Sequence, residues 1–101
     1  MKRTFAAIVE RTPVWDQGKP PQEQAGFEAH VGYMGALEAE GFIALAGLMQ
    51  TSSDVLFIFQ AESEEEVRGR LLQDPWQKEG RTRLARLEEL SLRNPPSWAT
   101  D

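Results

Sequence analysis

The chain predicts an α+β fold: a ferredoxin-like βαββαβ sandwich, with two helices on one face of a four-stranded antiparallel sheet. Three observations carry this expectation. Short apolar runs and helical stripes follow one another in the order strand, helix, strand, strand, helix, strand. The middle two strands are separated only by Gln50-Thr51-Ser52-Ser53-Asp54, a polar turn of hairpin length, and Ser63-Glu64-Glu65-Glu66 opens the second helix as a capping box. Finally, 101 residues, of which 41% are hydrophobic, suffice for one core but not two. Residues 1–92 read as one domain and residues 93–101 as a C-terminal tail.

In chain order, Thr4 to Glu10 is β-branched and apolar on both faces, which predicts a strand covered on both sides. Arg11 to Pro21 carries Pro13, Gly18, Pro20 and Pro21 around Trp15 and Asp16 and predicts a loop whose end feeds a helix with proline in its first turn. Over residues 22–40, Phe27, Val31, Met34 and Leu37 form a helical stripe that Gly41 can stop. Gly26, Gly32 and Gly35 weaken that helix by nearly ~1 kcal/mol each, so tertiary packing must hold it. Residues 42–49 and 55–60 are the apolar hairpin strands. In the second helix Val67, Leu71 and Leu72 face inward until Pro75 interrupts, and a short turn runs to Gly80. Residues 81–92 fit two periods: Leu84, Leu87 and Leu90 at helical spacing, or Leu84, Leu90 and Leu92 on one strand face. The strand completes the sheet and is the reading chosen.

With both helices on one face, the other face of the sheet stays bare, and here it is apolar too. Phe57 and Phe59 alternate with Leu56 and Ile58, and Ala44 and Leu48 oppose Ile43 and Leu45. A monomer would expose more apolar area than soluble monomers usually do, which predicts a homodimer, or a higher oligomer, built by packing two sheets into an α/β barrel. Phe57 or Phe59 is expected near that contact.

Composition removes several classes of function. With no cysteine there is no disulfide framework and no thiolate nucleophile or ligand. The net charge of −5, with Lys and Arg scattered among sixteen Asp and Glu, opposes nucleic-acid binding. The first apolar run stops at Glu10, too early for a signal peptide or a membrane span, so a soluble cytoplasmic protein with no membrane partner is expected. No glycine-rich phosphate loop and no histidine-rich ligand set occurs. Neither a cofactor nor a metal is expected, one imidazole being few ligands for zinc.

Chemistry gathers at Asp74-Pro75-Trp76-Gln77-Lys78-Glu79-Gly80, where a carboxylate, an indole and a glycine share a helix corner. His30, the one histidine, sits beside the stripe of the first helix. An imidazole near such a carboxylate would make an acid/base pair. Each residue also has a plain structural reading: Asp before Pro ends helices, Trp plugs cores, and a half-buried histidine is satisfied by a backbone carbonyl.

Trp15-Asp16, Gln24-Ala25-Gly26-Phe27 leading to His30, Met34, Leu37 and Glu40-Gly41-Phe42 together resemble the first half of the YciI-like (YCII-related) family. Ala46-Gly47-Leu48, Ser63 to Glu66, and Asp74-Pro75-Trp76 with Gly80 resemble the second half, so the likeness spans roughly residues 4–92. Leu48 stands where the family has proline, and residues 81–92 lack an aromatic common at the end of its last strand. The resemblance implies a dimeric ferredoxin-like fold and an active site made from a helix-borne histidine and the aspartate of the Asp-Pro signature, which correspond to His30 and Asp74. It also implies cofactor-free elimination or isomerisation of small ring-derived molecules in those members with activity.

Two functions follow as expectations. In the first, a lyase or isomerase, His30 moves a proton on a small organic molecule and Asp74 orients the ring. Tyr33 and Trp76 wall the pocket, and Gly47 lets substrate approach the strand backbone. In the second, the same dimer is a non-catalytic metabolite-binding or accessory module.

Overall fold

The computed structural model describes residues Met1 to Ala99 and contains β1 (Arg3–Arg11), α1 (Phe27–Ala39), β2 (Ile43–Leu48), β3 (Val55–Ala61), α2 (Glu64–Leu71), the single-turn α3 (Pro75–Lys78) and β4 (Thr82–Glu89). The strands form one four-stranded sheet in the order β2-β3-β1-β4, antiparallel throughout. This is the α+β, βαββαβ arrangement the sequence predicts. No helix among the described residues is long and apolar enough to cross a membrane.

The core lies between the helices and one sheet face. Phe5, Ala7 and Val9 of β1 stand opposite Phe59, Phe57 and Val55 of β3, and Leu37, Val67 and Leu71 descend from the helices onto them. Phe59 is fully excluded from solvent, a burial typically stabilising by about 1.5–3 kcal/mol. Phe57 and Phe59 therefore lie under the helices, away from the bare face where they were expected. Alternation shows that two residues share a face, but which face meets the helices depends on what the helices present.

Both outer strands contain irregularities that break simple alternation. A register shift after Ile43 sets Ile43 against Phe59 but Leu45 against Ile58, so Ile43 faces the core and Leu45 the bare side. In β4 a second shift, at Ala85, sets Leu84 against Val9 and Leu87 against Ala7, so both leucines face the core three residues apart. The spacing that mimicked a helix is thus a bulged strand, and the core pair is Leu84 with Leu87, in place of the expected Leu84, Leu90 and Leu92. On the bare face Leu45 and Leu56 are exposed beside half-buried Ala6 and Ile8.

The helix ends follow local chemistry. Ser63 Oγ accepts from the Glu66 amide at 3.0 Å, while Glu66 Oε1 accepts from the Glu62 amide at 2.8 Å, the reciprocal bond falling one residue before the cap. α1 begins at Phe27, five residues later than expected: Pro20-Pro21 starts only one 3-10 turn (Pro21–Glu23), and Gly26 at φ +78° is left-handed. Val31 is exposed, and the inward stripe runs instead through Phe27, His30, Met34 and Leu37. The tail has no regular element through Ala99, and Trp98 is exposed. The rest of the expected tail, Thr100 and Asp101, lies outside the described residues.

Candidate active site

Asp74 is the N-cap of α3, placed by Pro75 at the first helical position, and its side chain is almost wholly buried. Its Oδ1 accepts weakly from the Trp76 amide at 3.3 Å and lies 2.7 Å from His30 Nδ1. A carboxylate can only accept, so the shared proton sits on Nδ1 and the His30 Nε2 lone pair is left for other partners. α1 delivers His30 from one half of the chain and the α2–α3 corner delivers Asp74 from the other.

Trp76 holds the imidazole flat. The two rings stack with centroids 3.8 Å apart and planes 13° from parallel. Trp76 is itself fixed by donating from Nε1 to the Ala25 carbonyl at 2.8 Å and by the edge of Trp15, whose centroid is 5.0 Å away. Gly26 is needed beside this indole for two reasons: its φ of +78°, and the space a Cβ would take, 3.6 Å from Trp76 and 3.3 Å from Glu79 Oε2. The indole, a core plug on its plain structural reading and a pocket wall on the functional one, braces a histidine.

The loop between β1 and α1 forms the next wall. Gln24, buried, donates from Nε2 to the carbonyls of Asp16 and Lys19 and accepts on Oε1 from the Asp16 amide, clasping the loop shut. Thr12 Oγ1 donates to the Gly80 carbonyl, joining the loop to the end of α3. Trp15 is thereby buried, with the Arg11 guanidinium 4.2 Å over its ring.

These elements form a partly open cavity of about 250 Å³ between α1 and the end of the sheet, lined by His30, Asp74, Trp76 and Trp15 and floored by Val9, Met34, Val55 and Phe57. Glu10, Arg11 and Glu38 are its other charged residues. Among the described residues, Gln77 Nε2 and Thr82 Oγ1, buried in the same wall, have no hydrogen-bond partner. Two residues expected at the pocket sit elsewhere. The Tyr33 hydroxyl donates to the Arg70 carbonyl at 2.7 Å and ties α1 to α2. Gly47 pairs with Leu56, facing the bare side, while its neighbours Ala46 and Leu48 line the cavity.

Sequence reasoning did not single out Arg11 or Gln24 for the site. The available signal was position: Arg11 ends an apolar strand, and Gln24 lies between a proline pair and a glycine. Neither signal specifies a direction for the side chain.

No family model matches the chain, and no curated protein matches it in sequence. Among solved structures, the fold is similar to that of 5-chloro-2-hydroxyhydroquinone dehydrochlorinase from Burkholderia phenoliruptrix in complex with 2,5-dihydroxybenzoquinone. The TM-score is 0.61 at 20% sequence identity, over 91% of this chain and 95% of that one. The two chains share a fold.

Proposed function

We propose that this chain is a YciI-like protein acting as a cofactor-free lyase or isomerase on a small ring-derived molecule. The observation that carries the reading is the 2.7 Å contact between His30 Nδ1 and buried Asp74, at the wall of a largely apolar cavity. In that role Nε2 takes a proton from the bound molecule while Asp74 fixes the tautomer and offsets the positive charge that forms on the ring. For an elimination, the electron pair released by deprotonation expels the leaving group as an anion, and the imidazolium returns its proton to water. Stacking on Trp76 limits how far the imidazole can rotate, which favours transfer at one position. The structural neighbour's name, a dehydrochlorinase of a chlorinated hydroxyhydroquinone, is consistent with this chemistry and suggests a first substrate to try.

The reading includes a homodimer closed through the bare sheet face, supported by the exposure of Leu45 and Leu56 there. A stable contact of that kind covers on the order of 800 Å² per partner. The test of function is chloride release from 5-chloro-2-hydroxyhydroquinone and related halogenated hydroxyhydroquinones. The expected result is turnover by the wild type, reduced roughly 10² to 10⁴-fold in a folded His30→Ala variant. Equal rates in the two proteins, or no release from any member of the series, would overturn it.

A further inference from the structure

We propose that Arg11 is the anion anchor of the cavity, so that the molecule bound there is a planar ring carrying an ionised oxygen (a phenolate, enolate or carboxylate). The proposal rests on the reading of this cavity as the site for a small ring-derived molecule and specifies that molecule's charge.

Of the charged groups that line the cavity, all but Arg11 are engaged or exposed. Asp74 is engaged by His30, and Glu10 is held by Arg83 at 2.5 Å. Glu38 is exposed, where water screens it. Arg11 alone of the lining cations other than His30 remains, half-buried, and among the described residues its side chain makes neither an ion pair nor a hydrogen bond. In a chain with sixteen Asp and Glu and eleven Lys and Arg, carboxylates are not scarce, yet among the described residues none pairs with this guanidinium. What Arg11 does have is Trp15, 4.2 Å from ring centroid to guanidinium carbon. A cation–π contact engages the positive charge through the indole face and consumes no N–H donor. The guanidinium is thereby positioned while its fork of donors, suited to a paired-oxygen acceptor, stays available.

Position links the anchor to the pair. Arg11 lies over Trp15, Trp15 meets Trp76 edge-on, and Trp76 stacks on His30, so three contacts in series connect the guanidinium to the imidazole. An anion bound by Arg11 lies in the same cavity as His30, between an apolar floor and an aromatic wall that suit a planar ring.

Benzoate and benzamide have nearly the same shape and differ in charge, and His30 is the chain's one histidine, so its ring protons report occupancy of the cavity by NMR without an assignment problem. The expected result is a saturable shift with benzoate, at least about tenfold tighter than with benzamide. Arg11→Met removes that preference, and Arg68→Gln, on the exposed face of α2 and outside the cavity lining, retains it. Arg11→Gln serves if methionine disturbs the packing on Trp15. Equal affinity for the two probes in the wild type, no saturable shift with either, or a preference that survives in a folded Arg11 variant would each overturn the proposal. Failure of the chloride-release assay with the benzoate preference intact would instead remove the proton-transfer reading and leave the anchor standing.

Discussion

Replacing Asp74 separates its two duties, because the side chain both caps α3 and holds His30 through one oxygen, Oδ1. In Asp74→Asn the amide oxygen can still accept from Trp76 and from His30 Nδ1, so the cap survives and only charge assistance is lost. A charge-assisted hydrogen bond contributes roughly 1.5–3 kcal/mol and a neutral one about 1, so the expected cost is about 1 kcal/mol. In Asp74→Ala both bonds go. Adding a lost cap of about 1 kcal/mol gives a cost of roughly 2.5–4 kcal/mol, a large fraction of the 5–15 typical of a domain. Urea denaturation measures this directly: with a slope of about 1–3 kcal/mol/M, the alanine midpoint should fall by roughly 0.8–4 M and the asparagine midpoint by no more than about 1 M. Turnover should follow a different order. Asp74→Asn, nearly as stable as wild type, should already lose a factor on the order of 10² if carboxylate charge on the imidazole matters to proton transfer. An alanine variant within about 0.5 kcal/mol of wild type would refute the structural reasoning, since that is the range of inconsequential surface changes. A fully active asparagine variant would refute the role of the charge.

Three further outcomes are expected. Gly26→Ala should destabilise by about 1–2 kcal/mol, because a left-handed backbone disfavours any Cβ, and calorimetry should show a midpoint about 4–8 °C lower per kcal/mol. The Arg70 guanidinium, donating to Glu40 at 2.5 Å, holds the Glu40 carboxyl below its ordinary value, so this pair's stabilisation is present above about pH 4.5 and is lost as pH falls through the folded-state value; the stability gap between wild type and Glu40→Gln should shrink toward zero in acid, and a gap that widens there would contradict the pairing. Leu56→Asp should dissociate the proposed dimer without unfolding the chain, as seen by sedimentation, and a wild type that is monomeric at tens of micromolar, a concentration on the order of 10⁻⁵ M, would end the dimer proposal.

The element order, the Ser63 cap, the helix stop at Gly41 and the corner at Asp74-Pro75 were legible because each depends on local chemistry that a short window contains. The juxtaposition of His30 and Asp74 was not local. The residues show only that each could be an acid/base partner, and the YciI-like resemblance suggested that they meet. What misled was periodicity read without register. Val31 reads as inward because apolarity is the criterion, whereas the inward position at that turn belongs to His30, whose ring is expected to point toward the packing surface and is stacked on an indole. The bulges at Ala44 and Ala85 hid the true faces of β2 and β4 for a related reason. An inserted residue changes the parity of everything beyond it, and alanine carries no mark of being the inserted one.

The pairing of His30 with Asp74 spans 44 positions of sequence, and the bond from Trp76 to Ala25 spans 51. Each joins the leading β-α half of the molecule to the trailing α-β half, and neither exists until the two halves have docked. A partly folded chain that has formed only its hairpin or one helix therefore has no trace of the site, and proton-transfer competence should arrive in the same cooperative step as the complete fold. In such a design a substitution far from the cavity that loosens the docking of α1 or α3 would lower the temperature at which the site and the secondary structure are lost together.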